Sequence, residues 1–142
     1  MEFVLDNSVS MRWLLQDRDL ATMEYARNVL NLLSEGGRAI VPNLWALEAA
    51  NVIGKALRKG SISEAESTEF ITLLGALDIE PDGHTHDHGL GKTLELAQRY
   101  NLSSYDAAYL ELALRLGLPL ATVDADLGNA MQKAGGQRVL MN

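Results

Sequence analysis

The chain has 142 residues, of which 47% are apolar, three are histidine and none is cysteine. That size and apolar content suit one domain around one core, and the lack of cysteine excludes disulfides, thiol nucleophiles and thiolate metal sites. Nineteen acidic against twelve basic side chains leave a net charge of −7, so a nucleic-acid substrate would need bound cations or a local patch such as Lys55, Arg58 and Lys59.

The chain opens on MEFVL, a short β-branched and aromatic run that reads as a buried strand, with Asp6 at its carboxyl end. VSMRWLL and LATMEYARNVLNLLSEGG follow with helical spacing of apolar residues, the second closing on Gly36-Gly37. AIVP is a second strand stopped by Pro42, and NLWALEAANVIGKALRKG is a strongly apolar helix running to about Gly60. Ser63 and Glu66 have capping-box spacing at the start of SEAESTEFITLLGAL. LDIEP is a third strand, and a single helix is predicted from about His86 to Tyr100. Ser103 starts the helix SYDAAYLELALRLG, LPLATV is a fourth strand, DADLGNAMQKAGG a helix and QRVLM a fifth strand.

Helices alternating with short apolar strands define an α/β protein whose parallel sheet is covered on both faces, in one domain over residues 1–142. No apolar run reaches the roughly 18 residues of a membrane span, and the acidic opening Met1-Glu2 lacks the basic region of a secretion signal. A soluble cytoplasmic protein is the expectation.

Four acids stand in unusual places. Asp6 ends a buried strand, although it could simply cap the helix that follows. Glu48 lies within LWALEAANVI, where an exposed helix face shared with Asn51 and Lys55 would also explain it. Asp106 opens a helix that is apolar on nearly every side, so its carboxylate needs a partner. Asp124 follows the strand LATV and can cap the last helix, with Asp126 two residues on as a second candidate.

Taken jointly, these acids come from elements whose ends meet at the carboxyl edge of a parallel sheet, the edge where open α/β sheets bind ligands. Two carboxylates about 4 Å apart repel by roughly 4 kcal/mol at an effective dielectric near 20, so four in one place require cations. Oxygen-only ligands favour a hard ion, Mg²⁺ or Mn²⁺, and that preference points to phosphodiester chemistry.

VLDNSV at the start, VPNLWALEAANVI in the middle and LSSYDAAYLELALRLGLPLATVDADL toward the end, in this order and spacing, carry a family likeness over essentially the whole chain. The chain resembles the PIN-domain ribonucleases, most closely the VapC-type toxins of toxin–antitoxin pairs. The resemblance implies a three-layer α/β/α fold with a five-stranded parallel sheet and an acidic Mg²⁺ or Mn²⁺ centre. It implies Asp6, Glu48, Asp106 and Asp124 as catalytic and metal-ligating acids, with Ser8, Asn51, Thr122 and Asp126 in support. Asn7 departs mildly from the small residue more usual there. It further implies an RNA substrate cut to 5′-phosphate and 3′-hydroxyl ends, a cognate VapB-type antitoxin and a homodimer. Trp13, Leu14, Met23 and Trp45 are candidates for the antitoxin groove or else ordinary core, and Arg12, Lys55 and Arg58 for RNA contact.

Two rival readings compete with this one. HTHDH, from His84 to His88, holds all three histidines and falls one residue short of the HxHxDH zinc pattern of metallo-β-lactamase-fold hydrolases. A small surface metal site from His84 and His88 is what it would leave. The other rival is a catalytically silent module that keeps the fold for binding alone.

Overall fold

The computed structural model describes residues 1–139. Strand β1 (Glu2–Leu5) leads through the short helix α1 (Asn7–Ser10) and a 3-10 turn at Met11–Trp13 to α2 (Leu20–Ser34). Then come β2 (Arg38–Val41), α3 (Trp45–Arg58), α4 (Glu64–Ala76) and β3 (Ile79–Pro81). The rest comprises α5 (Thr85–His88), a kinked stretch at Gly89–Thr93, α6 (Leu94–Tyr100), α7 (Ser104–Leu116), β4 (Leu120–Ala121) and α8 (Ala125–Lys133).

The sheet has the order β3-β2-β1-β4, and every pairing is parallel. β1 is therefore central, which explains its unbroken apolar sequence. Phe3, Val4 and Leu5 are each 0% exposed. Their alternation sends Val4 into a cluster with Leu110, Leu112 and Leu127 on one face, and Phe3 and Leu5 into a cluster with Val29 and Leu33 on the other. Each of these side chains contributes about 1.5–3 kcal/mol by leaving water. α7 is buried without interruption from Ala107 to Ala113, so it forms the centre of one covering layer.

The caps follow the sequence. Ser63 Oγ accepts the Glu66 N–H at 3.1 Å while Glu66 Oε1 accepts the Ser63 N–H at 3.0 Å, completing the capping box of α4. After α2, Gly36 adopts φ +98°, a left-handed conformation that favours glycine.

Two expectations are corrected. Among the described residues the sheet has four strands rather than the expected five: β4 is only two residues long, and the following segment adds a single parallel bridge between Arg138 and Leu120. Residues 140 and 141 of the expected fifth strand lie outside the described residues. The single helix expected from about His86 to Tyr100 is broken instead. Gly91 leaves helical geometry with φ −110° and ψ −105°, a conformation eased by its lack of a Cβ, and α6 begins only at Leu94.

Candidate active site

Parallel strands place all their carboxyl ends on one rim of the sheet. Asp6 follows β1, and its N–H donates to the carbonyl of Ala121 at 2.9 Å, which locks it beside the end of β4. The Asp6 side chain is 4% exposed. It makes no capping bond to α1, so the cap reading does not account for it. Its Oδ2 accepts two hydroxyls instead, from Ser8 at 2.5 Å and from Thr122 at 2.8 Å.

The same two hydroxyl oxygens accept backbone N–H groups from the turn after β4. Val123 donates to Ser8 Oγ at 3.2 Å and Asp124 donates to Thr122 Oγ1 at 3.0 Å. Ser8 and Thr122 thus relay two main-chain donors onto one carboxylate oxygen. Burial raises the Asp6 carboxyl above its ordinary value; the two hydroxyls oppose the rise, and the charges of Glu48 and Asp124 add to it.

Glu48 stands in the first turn of α3. Its Oε1 accepts the Tyr109 hydroxyl at 2.5 Å, a contact between residues 61 positions apart that ties α3 to α7. Tyr109 is 0% exposed, and burial with the Glu48 carboxylate keeps its phenol protonated far above the usual range. Glu48 itself is raised, first by burial. Asp124 is the N-cap of α8, its Oδ1 accepting the Leu127 N–H at 2.9 Å. Capping therefore explains one oxygen of Asp124.

Asp106 lies in the first turn of α7, whose N-cap Ser103 accepts the Asp106 N–H at 3.1 Å. Its carboxyl is pushed up to about 6 by burial and then by the charges of Asp6 and Asp124, with a smaller push from Asp126. The rim therefore brings Asp6, Glu48, Asp106 and Asp124 within electrostatic reach of one another, with the exposed Asp126 at its margin.

A common pattern runs through three of these acids. Asp6, Glu48 and Asp124 each have one oxygen held by protein donors, and among the described residues the second oxygen of each accepts no hydrogen bond. Such free oxygens suit a hard divalent cation, the more so at Asp6 and Glu48, where burial disfavours the charged form. The arrangement is nevertheless open: among the described residues no group of three or more His, Asp or Glu side chains is closed up to hold an ion. Mg²⁺ does not demand such a cage, since it keeps several waters and takes one or two carboxylates with substrate phosphates.

The remaining candidates separate. Asn51 is exposed on α3, one turn beyond Glu48. Arg12 is occupied, donating from Nε and Nη2 to Asp17 and from Nη1 to the Ser8 carbonyl at 3.1 Å. Lys55 and Arg58 lie in the last turn of α3, about 10–15 Å along the axis from Glu48. Trp13 and Trp45 donate their indole N–H groups to the Ala26 carbonyl at 2.8 Å and to Ser10 Oγ at 3.2 Å, so both pack as core-facing side chains. Leu14 packs beside Met11 and Ile53, and Met23 is half-buried on α2. His84 Nδ1 pairs with Asp87 Oδ2 at 2.9 Å, and the histidines form no metal cluster among the described residues.

Tyr109 was not singled out from sequence, because its role depends on a tertiary contact. A tyrosine inside an otherwise aliphatic buried helix was the available clue, since a buried phenol needs an acceptor.

An open parallel α/β domain with an acid-lined carboxyl rim is the class that this fold and site define. The PIN-domain family model matches residues 3–131, and the chain belongs to that family. It is 32% identical over 85 residues to a protein of Pyrobaculum aerophilum named Ribonuclease VapC3, a match covering 60% of this chain and 65% of that relative. The chain thus aligns with just under two thirds of the relative's length. Among solved structures it is similar in fold to PAE2754 from Pyrobaculum aerophilum, with TM-score 0.65 and 20% identity over 92% of this chain and 84% of that one. It is also similar to VapBC2 from Rickettsia felis, solved bound to a DNA fragment from its promoter, with TM-score 0.64 and 15% identity over 97% of this chain and 96% of the other.

Proposed function

We propose that this chain is a Mg²⁺- or Mn²⁺-dependent endoribonuclease and the toxin of a toxin–antitoxin pair. The observation that carries the reading is the rim itself, where three carboxylates keep one oxygen free and a fourth is pushed up to about 6 by its neighbours. The likeness to Ribonuclease VapC3 supports it.

In this reading Asp6 and Asp106 would hold the principal ion, and Glu48 and Asp124 would complete the pocket, hold a second ion or orient the attacking water. When bound, the cation supplies acidity for that water and positive charge for the scissile phosphate. Ser8 and Thr122 fix the Asp6 carboxylate, Tyr109 fixes Glu48, and the α8 N-terminus fixes Asp124, so the free oxygens are presented without rotamer search. In-line displacement leaves a 5′-phosphate and a 3′-hydroxyl. A VapB-type antitoxin covering the rim and a homodimer belong to the same proposal, as does action in the cytoplasm; no helix among the described residues is long and apolar enough to cross a membrane.

The test is incubation of total RNA with the purified protein in Mn²⁺, in EDTA, and as Asp6→Asn. Cutting in Mn²⁺ alone, lost in the folded variant, is the expected result. Equal cutting by Asp6→Asn sinks the assignment. The open arrangement of the acids favours one second reading, a silent binding module. It predicts no cutting and no rise in Tm on adding Mn²⁺, whereas an intact site gains stability by mass action.

A further inference from the structure

A groove of about 400 Å³ runs between the end of α6 and the outer face of α8, lined by Arg99, Tyr100, Asn101, Asp126, Asn129 and Lys133. Its volume suits a single nucleotide unit and excludes a folded duplex. Asp126, Asn129 and Lys133 recur at helical spacing and so share one face of α8. Asp126 stands in the first turn of α8, two residues beyond the N-cap Asp124, so the groove's acidic end borders the acid rim. From Asp126 to Lys133 the groove follows α8 for about 10 Å. One end is therefore acidic and the other basic.

In a chain of net charge −7, several cations are already engaged elsewhere. Arg38 sits among Glu2, Asp78 and Glu80, and Arg115 is enclosed by Asp82 and Glu111. Arg138 donates to the Thr122 carbonyl at 2.6 Å. Lys133, by contrast, makes no ion pair among the described residues. Arg99 has one loose contact, 3.7 Å to the exposed Glu95, of the kind worth little in water and readily exchanged for a phosphate. The exposed carboxamides of Asn101 and Asn129 add donors between the two cations.

We propose that the groove between α6 and α8 is a backbone subsite for single-stranded RNA, in which Arg99 and Lys133 take a phosphate flanking the one at the acid rim. The subsite rests on the nuclease reading for its purpose but not for its existence. It supplies positive charge along α8 away from the rim, and it sets the direction in which the strand leaves the rim.

The experiment uses the full chain as Asp6→Asn, which cannot cut under the nuclease reading, and follows a short fluorescein-labelled single-stranded RNA of mixed sequence by anisotropy across a salt series. Adding Arg99→Gln and Lys133→Gln together should weaken binding about tenfold and reduce the slope of log K against log salt by about 0.7, one neutralised phosphate on a single strand. Arg18→Gln with Arg27→Gln, two exposed cations away from the groove, should leave both values unchanged, and all variants should keep the parental Tm. In otherwise wild-type protein with Mn²⁺, the groove variant should raise KM and hold kcat.

Undiminished binding by the groove variant overturns the proposal, as does an equal loss in the Arg18 and Arg27 control, or no RNA binding by the parent. Groove-dependent binding without any cutting in Mn²⁺ keeps the subsite and removes the nuclease reading. Cutting with an unaltered KM in the groove variant does the reverse.

Discussion

Asp6, Glu48 and Asp124 show how single side chains are prepared by their neighbours. Tyr109→Phe leaves Glu48 Oε1 without its donor and should cost about 1–2 kcal/mol in urea unfolding, with little change in fold because only an oxygen is removed. Asp106 gives a prediction with a definite sign. Its folded-state value of about 6 lies above the ordinary 3.8, so its stabilising contribution is present below about 4 and is lost as pH rises through about 6. In EDTA, wild-type protein should lose stability relative to Asp106→Asn across that window, as followed by urea unfolding at successive pH values. A constant difference at every pH refutes the raising of the Asp106 carboxyl by burial and neighbouring charge. The four acids were legible in sequence because each interrupts an apolar context where a carboxylate is costly. The donors that hold them were partly legible: Ser8 and Thr122 flank strand ends, whereas Tyr109 reaches Glu48 across 61 residues that local spacing cannot connect.

At the scale of elements, α7 is the organiser. It carries Asp106 in its first turn and Tyr109 one turn later, and near its other end Arg115 forks between two carboxylates. Arg115 Nη2 lies 2.7 Å from Asp82 and its Nε 2.7 Å from Glu111, joining α7 to the segment after β3. Burial alone would raise Asp82, yet Arg115 and the His84 N–H together hold its carboxyl below the usual range. Arg115→Met strands the buried Glu111 charge and should cost about 3 kcal/mol, read as a lower urea midpoint with an unchanged slope. A cost under about 1 kcal/mol would show the triad to be a solvated surface contact. The boundaries of α7 were legible from Ser103 and Gly117, a side-chain cap and a left-handed exit. The break at Gly91 was not, since isolated glycines are tolerated inside helices and only packing decides whether the chain bends there. The fifth strand was over-read for a related reason. QRVLM has the composition of a strand, but β4 offers it a partner only two residues long.

Over the whole molecule, the acids are paired at one end of the strands and left with free oxygens at the other. Arg38 gathers Glu2, Asp78 and Glu80 around the amino ends of β1 to β3, while the acids with free oxygens crowd the carboxyl rim. That polarity is what alternation of strand and helix predicts for any open parallel sheet, so the location of the site was legible before its contents. The sheet order carries a further consequence, for the ribosome. β1 is made first but sits in the middle, and Asp6 must wait for Thr122, 116 residues later, to supply its second hydroxyl. A nascent or prematurely ended chain that stops short of β4 holds its central strand with one flank bare and Asp6 half-ligated. Such a chain cannot assemble the rim, so under the proposed nuclease reading it would stay inert while its own message is still being read.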